Sequence, residues 1–504
     1  MTHRKPAFAA ALLAAAFSAS GAMADITAAE AWESIGALGQ SFGETITGTP
    51  TMAGNVMTVR GVTITMDMPE AQLQGKIGDI TLTERGDGTV AITLPPESRF
   101  TYSGGADGQR LFEAALTMAQ SGMTTIVSRT GAETTYDFTA DTLSFDMRDM
   151  DMAAEDRPAD FGLSLTLGGL AGQYLVGEGP LISFTSQISA ENAALSLNGT
   201  DPASDSKVTL SARMQDLQGQ SRATLPEDTP LSEDMGALLR AGFGTDGEFR
   251  YGATTYAQSL DGPDGPLQVI GSAAGGTLQV SMIGDHLSYS GTQSSTDLIV
   301  LSAQLPVPEI GARIDESAFN LTMPVTPTEE PADFRLLTAL NGIEIDEKVW
   351  ALFDPDSLLP RTPANLVIDL SGKARWLIDI LDPRAVESAE DLPAEIESLT
   401  INELEVSAAG AALTGRGAFT FDNAGRGPFS PLPVPQGNVS LRLSGADALM
   451  DALVQIGLVP EEQVMGYRMM LGIFATPLPG EDTLVSDIEL TPDGGILANG
   501  QPLR

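Results

Sequence analysis

Cysteine is absent from this 504-residue sequence, and histidine nearly so. Without cysteine there is no disulfide, no cysteine nucleophile, no haem attachment through C-x-x-C-H and no Cys/His zinc site. Stability has to come from apolar burial and strand pairing. Of the two histidines, His3 lies in a leader-like start, which leaves His286 alone. A Ser-His-Asp triad could draw only on that residue. It sits in QVSMIGDHLSYSG, a strand-and-turn pattern without a nucleophile elbow, and no G-x-S-x-G occurs anywhere.

Positive charge and aromatic rings are scarce as well. Lysine past the leader is confined to Lys76, Lys207, Lys348 and Lys373, and the formal net charge is −40. Removing Arg4 and Lys5 with the leader takes it to −42. Such a surface repels phosphate, so no nucleic-acid partner is expected. The acids are scattered along the chain, a pattern that serves solubility better than cation storage. Aromatic residues make up 6%, a poor supply for the twin girdles of an outer-membrane barrel. No glycine loop stands between a strand and a helix to cradle phosphate, so the 53 glycines read as turns and bulges. Neither a cofactor nor a metal is expected.

The start of the chain has the form of an export leader. Arg4 and Lys5 make a basic head, Ala7 to Ser18 an apolar run, and Ala22-Met23-Ala24 a small-x-small cleavage site. The run of about 12 residues is shorter than the roughly 20 that a membrane span needs. Residues 1–24 are therefore read as a signal peptide, with no integral span after its removal.

Beyond the leader, apolar and polar residues alternate with period two, the mark of strands with one buried and one wet face. The stretch Ser398 to Asp422 shows it best. Leu399 and Ile401 hold one phase, Leu404 and Val406 the other, and Leu413, Phe419 and Phe421 resume the first. The phase changes fall at Asn402-Glu403 and at Ala408-Ala409-Gly410, where a bulge and a turn are expected. The module recurs through Val62 to Met68, Val90 to Leu94, Leu143 to Met147, Leu163 to Leu167, Leu195 to Leu197, Val208 to Ala212, Leu278 to Met282 and Leu366 to Leu370. Gly86-Asp87-Gly88 marks a hairpin, and Pro95-Pro96 closes its second strand.

Helices are expected at Thr27 to Gln40, with Thr27 as cap and Glu30 three residues on, and at Arg110 to Val127. Further helices are expected around Ser232 to Ala241, at Ala332 to Leu340, at Ala446 to Leu458 and at Glu461 to Ala475. Met323 to Pro331, with three prolines, is the best linker. It divides a β-rich N-terminal region, 25–325, from a C-terminal β/α region, 326–504. The fold class is mainly β with a few helices: an elongated, curved antiparallel sheet of repeated hairpins, with short helices at block boundaries.

Chemistry has few places to reside. Ser204-Asp205-Ser206-Lys207 matches S-x-x-K, but it lies in a polar turn before a strand and lacks the companion S-D-N and K-T-G motifs. Asp146, Asp149 and Asp151 lack the mid-loop glycine of a calcium site. Asp354-Pro355-Asp356 reads as a turn or cap. Glu461 to Ala475 differs from the rest, because Val464, Met465, Met469, Met470, Ile473 and Phe474 leave it few polar residues after the first turn. These six are the candidate apolar-ligand or lid residues, set against a core helix capping the sheet.

The C-terminal third carries VWALFDPDSLLPRTPANLVIDLSG, GAALTGRGAFTFDN and GILANGQPL. On these segments, above all Trp350, Asp354, Pro355, Leu358 to Arg361 and Pro363, the chain resembles the DUF2125 family, exported proteins of alphaproteobacteria without an assigned activity. The recurring strand module and the closing Asn-Gly also resemble AsmA-like envelope proteins. That likeness implies a long curved sheet with an apolar groove for lipid. The DUF2125 resemblance brings no catalytic residues with it.

The expected function is that of a periplasmic, non-enzymatic envelope protein that binds a lipid or other apolar ligand, or serves as a scaffold with other envelope proteins. A periplasmic hydrolase built on Ser204 and Lys207 or on dispersed carboxylates is the alternative, and an outer-membrane barrel the second.

Overall fold

The computed structural model describes residues 25–503, apart from 69–70, 107–108, 153–158, 202–203, 227–234, 264, 389–392 and 424–432. The leader expected over 1–24 lies outside the described residues. The chain opens with α1 (Ala28–Ser41), then β1 (Glu44–Ala53), β2 (Val56–Met68) and β3 (Ala71–Glu84). Shorter strands follow: β4 (Val90–Thr93), β5 (Glu97–Ala106), β6 (Gln109–Ser121) and β7 (Thr124–Thr130). The tallest strands are β8 (Glu133–Met152), β9 (Ala159–Gly177), β10 (Leu181–Thr200) and β11 (Lys207–Pro226). After α2 (Met235–Arg240) come β12 (Gly244–Tyr251), β13 (Thr254–Gly262), β14 (Gly265–Ala273), β15 (Gly275–Ile283), β16 (His286–Ser302), β17 (Glu309–Pro324) and β18 (Ala332–Ile345). Next stand α3 (Glu347–Trp350), β19 (Ala364–Trp376), α4 (Pro383–Glu387), β20 (Ala394–Ala408), β21 (Ala411–Asp422) and β22 (Val434–Ser444). The chain finishes with α5 (Ala446–Gln455), α6 (Glu461–Phe474), β23 (Thr476–Pro477), β24 (Thr483–Leu490), β25 (Ile496–Ala498) and β26 (Gln501–Pro502).

Among the described residues the 26 strands belong to one sheet, and every pairing is antiparallel. The mainly β class with short helices is the fold observed. The path is an up-and-down meander, because β4 with β5, β6 with β7, β12 with β13 and β14 with β15 are each one strand interrupted midway. β12 and β13, for example, continue a single register along β11, from Thr224↔Gly244 through Met214↔Thr254 to Lys207↔Asp261.

The interruptions fall on a line. From β1 to β18 each row has an irregular step beside its neighbour's: Gly48, Gly61, Gly78, Pro95-Pro96, Gly122, Asp141, Gly169, Glu191, Asp216, Gly252-Ala253, Ala274, Ser295, Asp315 and Gly342. A bulge bends its strand and adds twist, so bulges in register crease the whole sheet. Gly61 and Gly342 stand at φ 62° and 68°, where a side chain is strained. The bulge expected at Asn402-Glu403 is present further on, since pairing skips from Ile401 to Leu404. The turn expected at Ala408-Ala409-Gly410 is also present, with φ 51° at Ala409 and 84° at Gly410.

The sheet curls at its N-terminal end. In a flat sheet β1 and β10 would lie roughly 34 Å apart, seven rows at about 4.8 Å. Yet α1 packs against β1, Ser34 is 2.7 Å from the Tyr136 hydroxyl of β8, and Phe42 meets Phe184 of β10 at a ring separation of 5.1 Å. The strands therefore wrap α1. Its start follows expectation: Thr27 accepts from the Glu30 amide, and Glu30 accepts in return from the Thr27 amide. Beneath it Val59, Val62, Ile80, Leu82, Val90 and Val127 form the largest buried cluster.

Two expected helices are strands. Residues 110–127 form most of β6 and the start of β7. Phe112, Ala114, Leu116 and Met118 line up opposite Gly104, Tyr102, Phe100 and Ser98. The alanines gave a helical stripe, but flanking strands on both sides supply backbone partners, and pairing prevails over intrinsic propensity. Residues 332–340 open β18 for the same reason. There Leu337 and Ala339 add apolar residues to the outer phase and blur the alternation. The other helices stand as α2, α5 and α6, within a residue or so to a few residues of expectation; 232–234 lie outside the described residues. Of the expected linker Met323 to Pro331, Met323 and Pro324 end β17, and 325–331 connect it to β18, with which it pairs.

Candidate apolar binding face

Cross-strand register assigns each residue to one face of the sheet. Followed from β8 to β25, the face that α1 covers at its N-terminal end includes no Asp, Glu, Lys, Arg or His among the described residues. It holds Phe145, Leu165, Leu195 and Ala212 in one cross-strand row and Tyr289, Leu321, Leu336, Leu370 and Ile401 in another. Over the same strands the described charged residues stand on the other face and in the bulges; Asp369 on the other face, for instance, takes two hydrogen bonds from Arg335 at 2.9 and 3.2 Å. Burial tends to raise the Asp369 carboxyl, but the Arg335 and Asn402 hydrogen bonds win and hold it below the usual range.

Beyond the region wrapped round α1, most of this face has no helix over it among the described residues. Tyr174, Leu260, Leu267, Val280, Tyr289, Leu321, Leu336, Ile345 and Val406 all lie on it, 37 to 43% exposed. Nine large side chains so exposed offer on the order of several hundred Å2, at or above the largest patch of an ordinary monomer. The floor is kept smooth by rings laid over glycines on the neighbouring strand: Phe138 over Gly172, Tyr256 over Gly271, Phe319 over Gly291 and Phe334 over Gly372. A Cβ at Gly291 would stand 2.6 Å from the Phe319 ring. Tyr289 and Phe319 also meet each other, at 4.8 Å.

Creases of about 500 and 670 Å3 lie on the opposite, polar face, lined in one case by Gln173, Gln187, Gln220, Glu248 and Arg250. Their volume exceeds the 290 Å3 depression around Ile188, Phe249, Leu278 and Val280 on the uncharged face. Chemistry favours the smaller one. The polar troughs are lined by groups already bonded to one another, such as Gln173 to Asp137 at 2.7 Å and Gln279 to Glu248 at 3.0 Å. The apolar floor keeps Leu321 and Leu336 exposed among the described residues.

The six expected residues of the C-terminal helix divide. Val464 is buried, whereas Met465, Met469, Met470, Ile473 and Phe474 face outward. The helix is therefore no core element. The residues that sequence reasoning missed are those of the sheet floor. Their signal was present in each strand, as an apolar phase free of charge, but only register joins the strands into one surface.

Trp350, Asp354 and Arg361 form a closed knot between β18 and β19. Asp354 is fully buried and accepts from the Leu358 and Leu359 amides at 2.9 Å each and from Arg361 at 2.5 Å. Arg361 also donates to the Leu359 carbonyl at 2.8 Å and lies 4.4 Å from the centre of the Trp350 ring. Burial alone would raise the Asp354 carboxyl, but the Arg361, Leu359 and Leu358 hydrogen bonds hold it below its usual range. Both carboxylate oxygens are engaged, so the aspartate works as the cap of a turn. Ser204 donates to Asp201 at 2.5 Å and lies 2.8 Å from the Ser206 hydroxyl, while Lys207 opens β11. His286 contacts its neighbour Asp285 at 2.7 Å.

A family model described as "Uncharacterized protein conserved in bacteria (DUF2125)" matches residues 249–502. The chain belongs to the DUF2125 family. The matched span starts in β12 and takes in the knot, the C-terminal half of the uncharged face and both C-terminal helices. No curated protein and no solved structure matches the chain, so the likeness to AsmA-like proteins has no match behind it. Among the described residues no helix is long and apolar enough to cross a membrane.

Proposed function

We propose that this DUF2125 protein is an exported, periplasmic, non-enzymatic envelope protein that holds the acyl part of a lipid against the uncharged face of its sheet. The supporting observation is the continuity of that face, which among the described residues runs from β8 to β25 without a charged side chain on a chain of net charge −40. A surface open to water and free of charge over such a length is costly in a monomer unless something apolar occupies it. The tall strands suit an extended chain, since β10, of 20 residues, reaches about 65 Å.

The test is loading with a fluorescent fatty acid, beside mass spectrometry of apolar molecules that co-purify with the protein. Leu321→Glu with Leu336→Glu places two charges on neighbouring positions of the floor. Loading should fall about tenfold or more, while circular dichroism keeps its strand signature. A wild type that carries no lipid and takes up none from solution would rule the reading out.

A further inference from the structure

Residues 445–475, between β22 and β23, are an addition that the sheet does not require. Ser444 and Thr483 stand opposite each other on β22 and β24, so a tight turn could join them. Instead the chain makes the α5–α6 hairpin. One side of α6 is held down: Val464 is buried, and Arg468 reaches Asp447 at 2.9 Å and Asp451 at 2.7 Å on α5. Its end is pinned as well, because Ser486 donates to the Phe474 carbonyl at 2.6 Å and Asn499 to the same oxygen at 3.2 Å. The other side is bare. Met465, Met469 and Ile473 follow one another at helical spacing and are 63, 71 and 59% exposed, with Met470 and Phe474 in the next stripe.

We infer that α6 docks the protein on a neutral lipid bilayer, lying in its surface with Met465, Met469 and Ile473 among the acyl chains. Three observations select this occupant. The surface is convex and built of long, adaptable side chains, which a bilayer accepts from a helix lying flat. A helix of 14 residues, about 21 Å, lies in an interface but does not cross it. The charge selects neutral headgroups, because Glu461 and Glu462 open the helix and its sole cation, Arg468, is held by two aspartates. Because α5 packs on β21, docking brings the C-terminal end of the uncharged face beside the bilayer. The inference deepens the proposed function by naming the surface from which lipid is taken, and it rests on that reading for its purpose.

Flotation with phosphatidylcholine vesicles tests it, beside fatty-acid loading from solution. Wild type should float, and adding phosphatidylglycerol should weaken its binding. Met469→Glu with Ile473→Glu should reduce vesicle binding by about tenfold or more, with melting temperature and loading unchanged because both side chains are exposed. Leu321→Glu with Leu336→Glu should do the reverse, losing loading and keeping flotation, so the two readings fail separately. Wild type that stays at the bottom of the gradient, or a helix variant that floats as wild type does, overturns the docking. So does a dimer in vesicle-free sedimentation that Met469→Glu with Ile473→Glu dissolves, which would make a second copy the occupant.

Discussion

The two ends of the sheet solve one problem differently. Around β1 to β4 and β7 the apolar face is closed over α1, and Leu82, Val59, Val90 and Val127 are wholly shielded. Past β10 the same face continues, in places under end loops, but without a layer of helices. There side chains such as Leu336 shelter only behind their neighbours. The strand sequences are of the same kind in both regions. The difference is one amphipathic helix and the curl that lets eight rows reach it. A sheet needs a second layer to make a core, and among the described residues α1 supplies one at the N-terminal end.

Truncation should separate the two regions most widely. Leu82→Ala should cost about 2–5 kcal/mol of stability in urea unfolding, as for other shielded leucines. Leu336→Ala, at a position 42% exposed, should cost less than about 1 kcal/mol. Equal losses would mean that the open face is covered in solution and would erase the contrast.

The open region has a rigid point of its own in the Asp354 knot, and pH sharpens that point. A carboxyl held below its unfolded value of 3.8 stabilises the fold above that pH, and the contribution is lost as pH falls through the lower folded value. Asp354→Asn should therefore lower the melting temperature at neutral pH. The gap to wild type should narrow only below about pH 3.8. A gap that is constant from neutral pH down to pH 2 would place the aspartate outside the titrating network.

The smallest effect belongs to the closed end. Thr27→Ala removes one side of the capping box and should cost about 1 kcal/mol, read by hydrogen exchange in α1 and in the strands beneath it. Exchange in β16 to β19 should not change. A uniform rise across the sheet would show that the closed end nucleates the rest.

Much of this architecture is legible in the chain. The strand module at Ser398 to Asp422 places its bulge and turn where the phase changes, because a pleat aims side chains alternately and one extra residue reverses the phase. Thr27 and Glu30 mark a helix start through local hydrogen bonds. Residues 110–127 and 332–340 mislead because alanine and leucine serve either state, and their choice depends on strands far away in sequence. The exposed side of α6 was legible as apolar composition, but composition does not say whether such a helix is covered.

The sequence by itself determined the alternation, the glycine-marked bulges and, from β8 to β25, a strand phase without charge among the described residues, since all follow from neighbours within a few residues. It also carried the family membership, whose matched span of 249–502 takes in Trp350, Asp354 and Arg361. Only the tertiary structure decided that separate phases join into one uncharged face, that the bulges align into a single crease, and that α1 is wrapped while α6 is not. Those outcomes depend on register and curvature summed over many strands, and a shift of one residue in any pairing would turn a strand's apolar side to the other face.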